Sequence, residues 1–138
     1  MSEKPKVEID VEVPFYDVDA MGVAWHGHYI KYFERARCRL LQTFDYDYPR
    51  MQESGYLWPV VELRVKYVRP ARYSQRLRVQ AELLEYENRI KIGYRVFDAE
   101  SGERMTEAHS VQVAVEAASG ELQFVSPAVW IDRVEKRR

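Results

Sequence analysis

Phe15-Tyr16-Asp17-Val18-Asp19-Ala20-Met21-Gly22-Val23-Ala24-Trp25-His26-Gly27-His28-Tyr29 decides how this chain folds, because the hydrophobic period changes across it. Before it, Val7, Ile9, Val11, Val13 and Phe15 alternate with Lys6, Glu8, Asp10 and Glu12. That period of two predicts a strand with one buried face, which Pro14 ends or places at an edge. After it, from about His28 to Phe44, Lys31, Glu34, Arg35, Cys38, Arg39 and Gln42 fall on one helical face. Tyr29, Ile30, Tyr32, Phe33, Ala36, Arg37, Leu40, Leu41 and Phe44 occupy the rest, so the helix has a wide apolar side. The quoted stretch is therefore a loop between rigid elements. It holds two carboxylates and two histidines where a scaffold can aim them at a substrate.

Further along, Asp45-Tyr46-Asp47-Tyr48-Pro49 and Ser54-Gly55 break the helical pattern and predict a loop or short irregular turn. Four alternating runs then read as strands: Val61 to Tyr67, Leu77 to Leu83, Ile90 to Val96, and Val111, Val113 and Val115 after a turn at 99–103. The order is β-α-β-β-β-β. One helix of about four turns cannot cover such a sheet from outside, but a strongly twisted antiparallel sheet can wrap around it, making the helix the core. Residues 127–138 are expected to add a short helical turn, with Val129, Trp130, Ile131 and Val134 packing down.

Composition narrows the function classes. The 138 residues are 46% hydrophobic and 13% aromatic, enough for one packed domain spanning 1–138, with its core at about 6–126 and a C-terminal extension at 127–138. A net charge of −1 gives no global pull toward nucleic acid or an anionic membrane. Local positive potential is expected instead from Arg64, Lys66, Arg69, Arg72, Arg76 and Arg78, since no acidic residue lies between Arg64 and Arg78. The single cysteine, Cys38, allows no intrachain disulfide, lacks an acid-base partner in sequence and reads as inert. No metal-ligand spacing is present, and no cofactor is expected. The charged N-terminus reads as neither signal peptide nor membrane span, which predicts a cytoplasmic protein.

The pattern Asp17, Asp19, Gly22, Val23, His26 and Tyr29, together with this element order, resembles the hotdog-fold acyl-CoA thioesterases. Within them it is similar to the 4-hydroxybenzoyl-CoA thioesterase-like group that includes the Tol–Pal-associated enzymes. Tyr32-Phe33-Glu34-Arg35-Ala36-Arg37 and Val65-Lys66-Tyr67-Val68-Arg69-Pro70-Ala71-Arg72-Tyr73 extend the resemblance, which runs from about Val7 to Val125. It implies an α+β hotdog fold, a five-stranded antiparallel sheet wrapped around one central helix. It also implies hydrolysis of an acyl-CoA to a free acid and coenzyme A, with coenzyme A as part of the substrate rather than a cofactor. The implied assembly is a homodimer with acyl sites at the subunit interface, or a homotetramer. Met21 and Trp25 are bulkier than this resemblance leads one to expect.

The family's catalytic aspartate falls on Asp19 and its other acidic position on Asp17. A thioester carbonyl is electrophilic, so hydrolysis needs a carboxylate that attacks it or takes a proton from water, plus donors for the developing oxyanion. Asp19 is the expected carboxylate, as nucleophile or general base; its plainer role is to cap a turn. Asp17 is expected to support it by a hydrogen bond to loop backbone. Gly22 and Gly27 permit positive φ or close approach, Tyr29 is a supporting residue, and N–H groups around His26, Gly27 and His28 can face the carbonyl oxygen. His26 is a candidate neutral donor, because a helix N-terminus disfavours its charge, whereas His109 reads as structural. Arg69 and Arg72, flanking Pro70 in a bend, are candidates for the coenzyme A phosphates. Tyr16, Trp25, Tyr29, Tyr56 and Trp58 are candidates for an aromatic-accepting pocket. Two other readings use the same pocket: an acyl dehydratase or hydratase working through His26 or His28, and a non-catalytic subunit binding acyl-CoA or acyl carrier protein.

Overall fold

A computed structural model describes residues 4–24 and 26–137, with the backbone alone at His26. Strand β1 (Lys6–Glu12) leads through the loop into helix α1 (Tyr29–Gln42). After it come α2 (Tyr48–Glu53), a short strand β2 (Tyr56–Leu57), then β3 (Val60–Tyr67), β4 (Arg76–Glu85), β5 (Ile90–Asp98) and β6 (Arg104–Gln112). A short β7 (Val115–Glu116) and helix α3 (Ala128–Arg137) follow. The large sheet is antiparallel throughout, in the order β1-β4-β5-β6-β3, while β2 and β7 pair separately.

The core lies between this sheet and α1. Leu77, Val79, Ala81 and Leu83 on β4, and Ile90, Ile92, Tyr94 and Val96 on β5, are buried, as alternation with one covered face requires. They meet Tyr29, Tyr32, Phe33, Ala36, Leu40 and Leu41 of α1. The helix ring of Phe33 packs against that of Tyr94 at 4.8 Å. The opposite face of α1 is exposed at Lys31, Glu34, Arg35, Cys38, Arg39 and Gln42, as the 3.6-residue period predicts. Ile30 departs from it and is exposed.

Four local expectations change. Pro49 does not leave a loop; it sits in the first turn of α2, where its missing N–H has no helical partner to lose. The strand expected through Val111, Val113 and Val115 ends at Gln112, because the chain leaves the large sheet there: the Val113 N–H goes to the Pro59 carbonyl, and Val115 joins β7. The alternating face of β3 is only partly covered: Val61, Leu63 and Tyr67 are exposed and Val65 is half-buried against the core, since β3 is a sheet edge and α1 lies over β1 and β4. The terminal turn is a helix of ten residues. Its Trp130 is fully buried beside Phe44, Tyr46 and Trp58, stacked on Tyr46 at 5.4 Å, with its indole N–H donating to the Tyr86 carbonyl. No helix among the described residues is long and apolar enough to cross a membrane.

Candidate functional site

The loop ahead of α1 contains a small hairpin. Val18 bridges Ala24, the Asp19 N–H donates to the Val23 carbonyl, and the Gly22 N–H returns to the Asp19 carbonyl at 2.9 Å. Ala20, Met21 and Gly22 thus form a three-residue connection whose last member has φ +77°, the left-handed position glycine adopts without a Cβ clash. An aspartate at the first turn position suits this geometry, and Asp19 Oδ1 accepts the Met21 N–H at 2.8 Å and the Val23 N–H at 3.4 Å. Asp19 is exposed. Its Oδ2 accepts no hydrogen bond among the described residues. The Asp-x-x-Gly spacing therefore has a mechanical reason, and the turn fixes the carboxylate through one of its oxygens.

Backbone bonds sew this hairpin to the segment after β3. The Ala24 N–H donates to the Ala71 carbonyl at 2.6 Å, the Tyr73 N–H to the Gly22 carbonyl at 3.1 Å, and Val23 bridges Arg72. The result is a cleft of about 390 Å³ lined by Asp19, Val23, Ala24, Tyr29, Tyr67, Val68, Arg69 and Pro70. Tyr29 is buried, and its hydroxyl accepts the Ala71 N–H at 3.1 Å, so it fixes the wall of the cleft.

Asp17 has a different environment. It is 1% exposed, and its oxygens accept Lys31 Nζ at 2.5 Å and the Tyr32 hydroxyl at 2.8 Å, with His28 Nδ1 3.4 Å away. The hydrogen bond expected from loop backbone is thus supplied by helix side chains instead. Burial pushes the Asp17 carboxyl up, but the bonds from Lys31 and Tyr32 and the Lys31 charge outweigh it and hold it below its ordinary value. Tyr32 is pushed in the opposite direction by burial and by the same carboxylate. Lys31 and Tyr32 were not legible as site residues, since periodicity assigned one to solvent and the other to the core.

His26, Gly27 and His28 form a single 3₁₀ turn that runs directly into α1, and no side chain caps the helix at His28. The start of α1 accordingly carries the partial positive charge of a helix N-terminus with no side chain set against it. Trp25 and the His26 side chain lie outside the described residues. His109 lies across the strand pair from Arg64, with Nε2 3.1 Å from Glu62 Oε2.

The basic run is partly neutralised by acids that are distant in sequence. Arg69 is ion-paired with Glu103, and Arg78 lies 3.5 Å from Glu8. Arg72 shares with Arg69 a shallow hollow beside Pro70, and among the described residues no carboxylate pairs with its guanidinium. The proposed aromatic lining divides: Tyr29 lines the Asp19 cleft, whereas Tyr56 and Trp58 line a separate cavity of about 340 Å³ with Cys38 near the other end of α1. Tyr16 is exposed beneath the Lys31 ammonium, 5.5 Å from its ring centre. Among the described residues, no His, Cys, Asp or Glu group could hold a metal ion.

Residues 13–133 match the family model of the thioesterase-like superfamily. A Bacillus subtilis relative named "Putative acyl-CoA thioesterase YneP" is 27% identical over 111 residues, 80% of each chain. The acyl-CoA thioester hydrolase YbgC of Escherichia coli O6:H1 is 32% identical over 73 residues, 53% of this chain and 54% of that one. The crystal structure of a 1,4-dihydroxy-2-naphthoyl-CoA thioesterase from Synechocystis superposes with a TM-score of 0.83 at 18% identity, covering 94% of this chain and 95% of that one. With its five-stranded antiparallel sheet, central helix and matching stretch of 121 residues, the chain belongs to the thioesterase-like superfamily and has the hotdog fold.

Proposed function

We propose that this protein hydrolyses an acyl-CoA thioester to the free acid and coenzyme A, with Asp19 as the reacting carboxylate. The observation that carries the reading is an aspartate, the one the sequence resemblance singles out, anchored through one oxygen in its own hairpin at the rim of a cleft beside the start of α1. As nucleophile, Asp19 would attack the carbonyl carbon; the C–S bond breaks, the coenzyme A thiolate takes a proton, and water cleaves the resulting anhydride. As general base, it would take a proton from water as the hydroxide adds, and the tetrahedral intermediate then expels the thiolate. In both routes N–H groups at His26 to His28 stabilise the oxyanion, with His26 assisting. Each such donor contributes roughly 2.7–4 kcal/mol to transition-state stabilisation. Gly22 supports the turn, Tyr29 the cleft wall, and Arg72 with Arg69 would meet the phosphates of coenzyme A.

The assembly belongs to the same proposal. A sheet edge with exposed Val60, Val61 and Leu63 is a ready template for pairing, and a second copy of β3 would extend the ladder and cover these side chains. Thiol release from short, long and aromatic acyl-CoAs, with binding followed on the same samples, tests the reading. Wild type should turn over at least one class, and Asp19→Asn should bind it with little release. Wild-type binding without release from any member of the panel would overturn hydrolysis and favour a binding subunit.

A further inference from the structure

Asp17 takes no part in either hydrolytic route, yet it is the most heavily engaged carboxylate of the loop. Lys31 Nζ and the Tyr32 hydroxyl reach its two oxygens separately, at 2.5 and 2.8 Å. These side chains leave the helix about 100° apart, so both close on one carboxylate only if it sits over the groove between them. The contact therefore fixes the direction as well as the distance of the loop. The Lys31 ammonium also lies over the ring of Tyr16, clamping the 3₁₀ turn at Phe15–Asp17 from outside. His28, the last residue before α1, brings Nδ1 to 3.4 Å from the same Oδ1. From Asp17 the chain runs only two residues to Asp19, and from Lys31 only three back to the amides that open the helix.

We propose that Lys31 and Tyr32 are positioning residues: acting through Asp17, they hold the Asp19 hairpin in register with the N–H groups at the start of α1. The assignment rests on the thioester-hydrolase reading for its catalytic consequence, but the register itself is a property of the free protein. A buried carboxylate deprived of its cation is costly, so Lys31→Met either moves the loop or protonates Asp17. Among the described residues, the groups facing Asp17 are Lys31 and Tyr32 of α1 and His28 of the turn before it, with Tyr16 beneath the Lys31 ammonium. Removing the lysine leaves burial, which raises the carboxyl, opposed by Tyr32 and any charge on His28. Because the Lys31 side chain is half exposed, its loss opens no void in the core.

Wild type, Lys31→Met, Lys31→Arg and Tyr32→Phe should be compared by acyl-CoA hydrolysis across pH and by amide NMR of Gly22 and Gly27. Misplacement by about an ångström predicts a fall in kcat of between about ten- and a hundredfold for Lys31→Met. KM should stay within about twofold. The acid limb of kcat should move to higher pH, and Lys31→Arg should restore most of the rate. Both glycine resonances should shift in Lys31→Met and return in Lys31→Arg. Wild-type kcat, pH limb and glycine resonances in Lys31→Met would overturn the proposal. If wild type releases no thiol, the hydrolase reading falls, and the resonances decide the positioning alone: shifted and restored supports it, unshifted refutes it.

Discussion

The two ends of α1 solve opposite problems. At its N-terminus the helix meets polar groups: an exposed carboxylate in a hairpin, a buried one bound to lysine and tyrosine, and a 3₁₀ turn with no side-chain cap. Beyond its C-terminus, Phe44 and Tyr46 join Trp58 and Trp130 in a packed aromatic cluster, whose polar atoms bond within it, to the Ser54 hydroxyl or to nearby backbone. Apolar burial scales with area and tolerates small displacements, whereas charge placement depends on angle and distance. The aromatic end can therefore carry stability while the polar end keeps carboxylates and donors whose arrangement serves chemistry.

Substitutions at the two ends should separate these roles. Asp19→Asn keeps an acceptor for the Met21 N–H but removes the charge; kcat should fall about a thousandfold or more, roughly 4 kcal/mol of barrier, with an unchanged melting temperature. A variant that melts earlier and loses rate only in proportion would erase the contrast. Trp130→Ala should show the reverse pattern, costing about 3–5 kcal/mol in urea unfolding while the folded fraction keeps its kcat. Gly22→Ala should affect both, losing about 1–3 kcal/mol because alanine resists φ +77°, and slowing turnover because the Asp19 hairpin distorts. Tyr46→Phe removes the hydroxyl that accepts the Trp58 indole N–H at 3.1 Å and bonds Ser54 at 2.8 Å. It should cost about 1–3 kcal/mol in unfolding free energy and leave kinetics alone.

A pH series tests the polar end by sign. Asp17 has a folded value below the ordinary carboxylate range of about 3.9. Its contribution to stability is therefore complete above that range and disappears as pH falls through the lowered folded value. Unfolding free energies from pH 7 down to 3 should drop less steeply for Asp17→Asn than for wild type. Parallel curves would show that the carboxylate adds no acid-labile stability.

The legible parts of this chain are those where one residue pattern meets one environment. β4, β5 and α1 each have a single buried face, so alternation or helical spacing mapped directly onto packing. β3 carries the same alternation but lies at the sheet edge with only partial cover, and pattern alone cannot reveal how far the covering layer reaches. Pro49 reads as a breaker because its effect depends on whether it falls inside a helix or in its first turn. In the loop, the spacing of Asp19 and Gly22 was readable, and the resemblance singled out Asp19. The partners of Asp17 were not, because periodicity puts Lys31 on the outer face without saying which segment folds back over it. The basic run likewise looked uncompensated until cross-strand pairing brought Glu8 and Glu103 alongside.

Main-chain atoms join the hairpin to the end of the sheet edge, through the N–H groups of Ala24 and Tyr73 and the carbonyls of Ala71 and Gly22. Such a seam is nearly blind to side-chain identity. Over evolutionary drift the exposed side chains of Arg72 and Tyr73 can change while the hairpin stays attached, whereas Gly22 is held by its φ of +77° and Ala24 and Ala71 by burial. Proline at positions 24 or 73 would delete the donor itself.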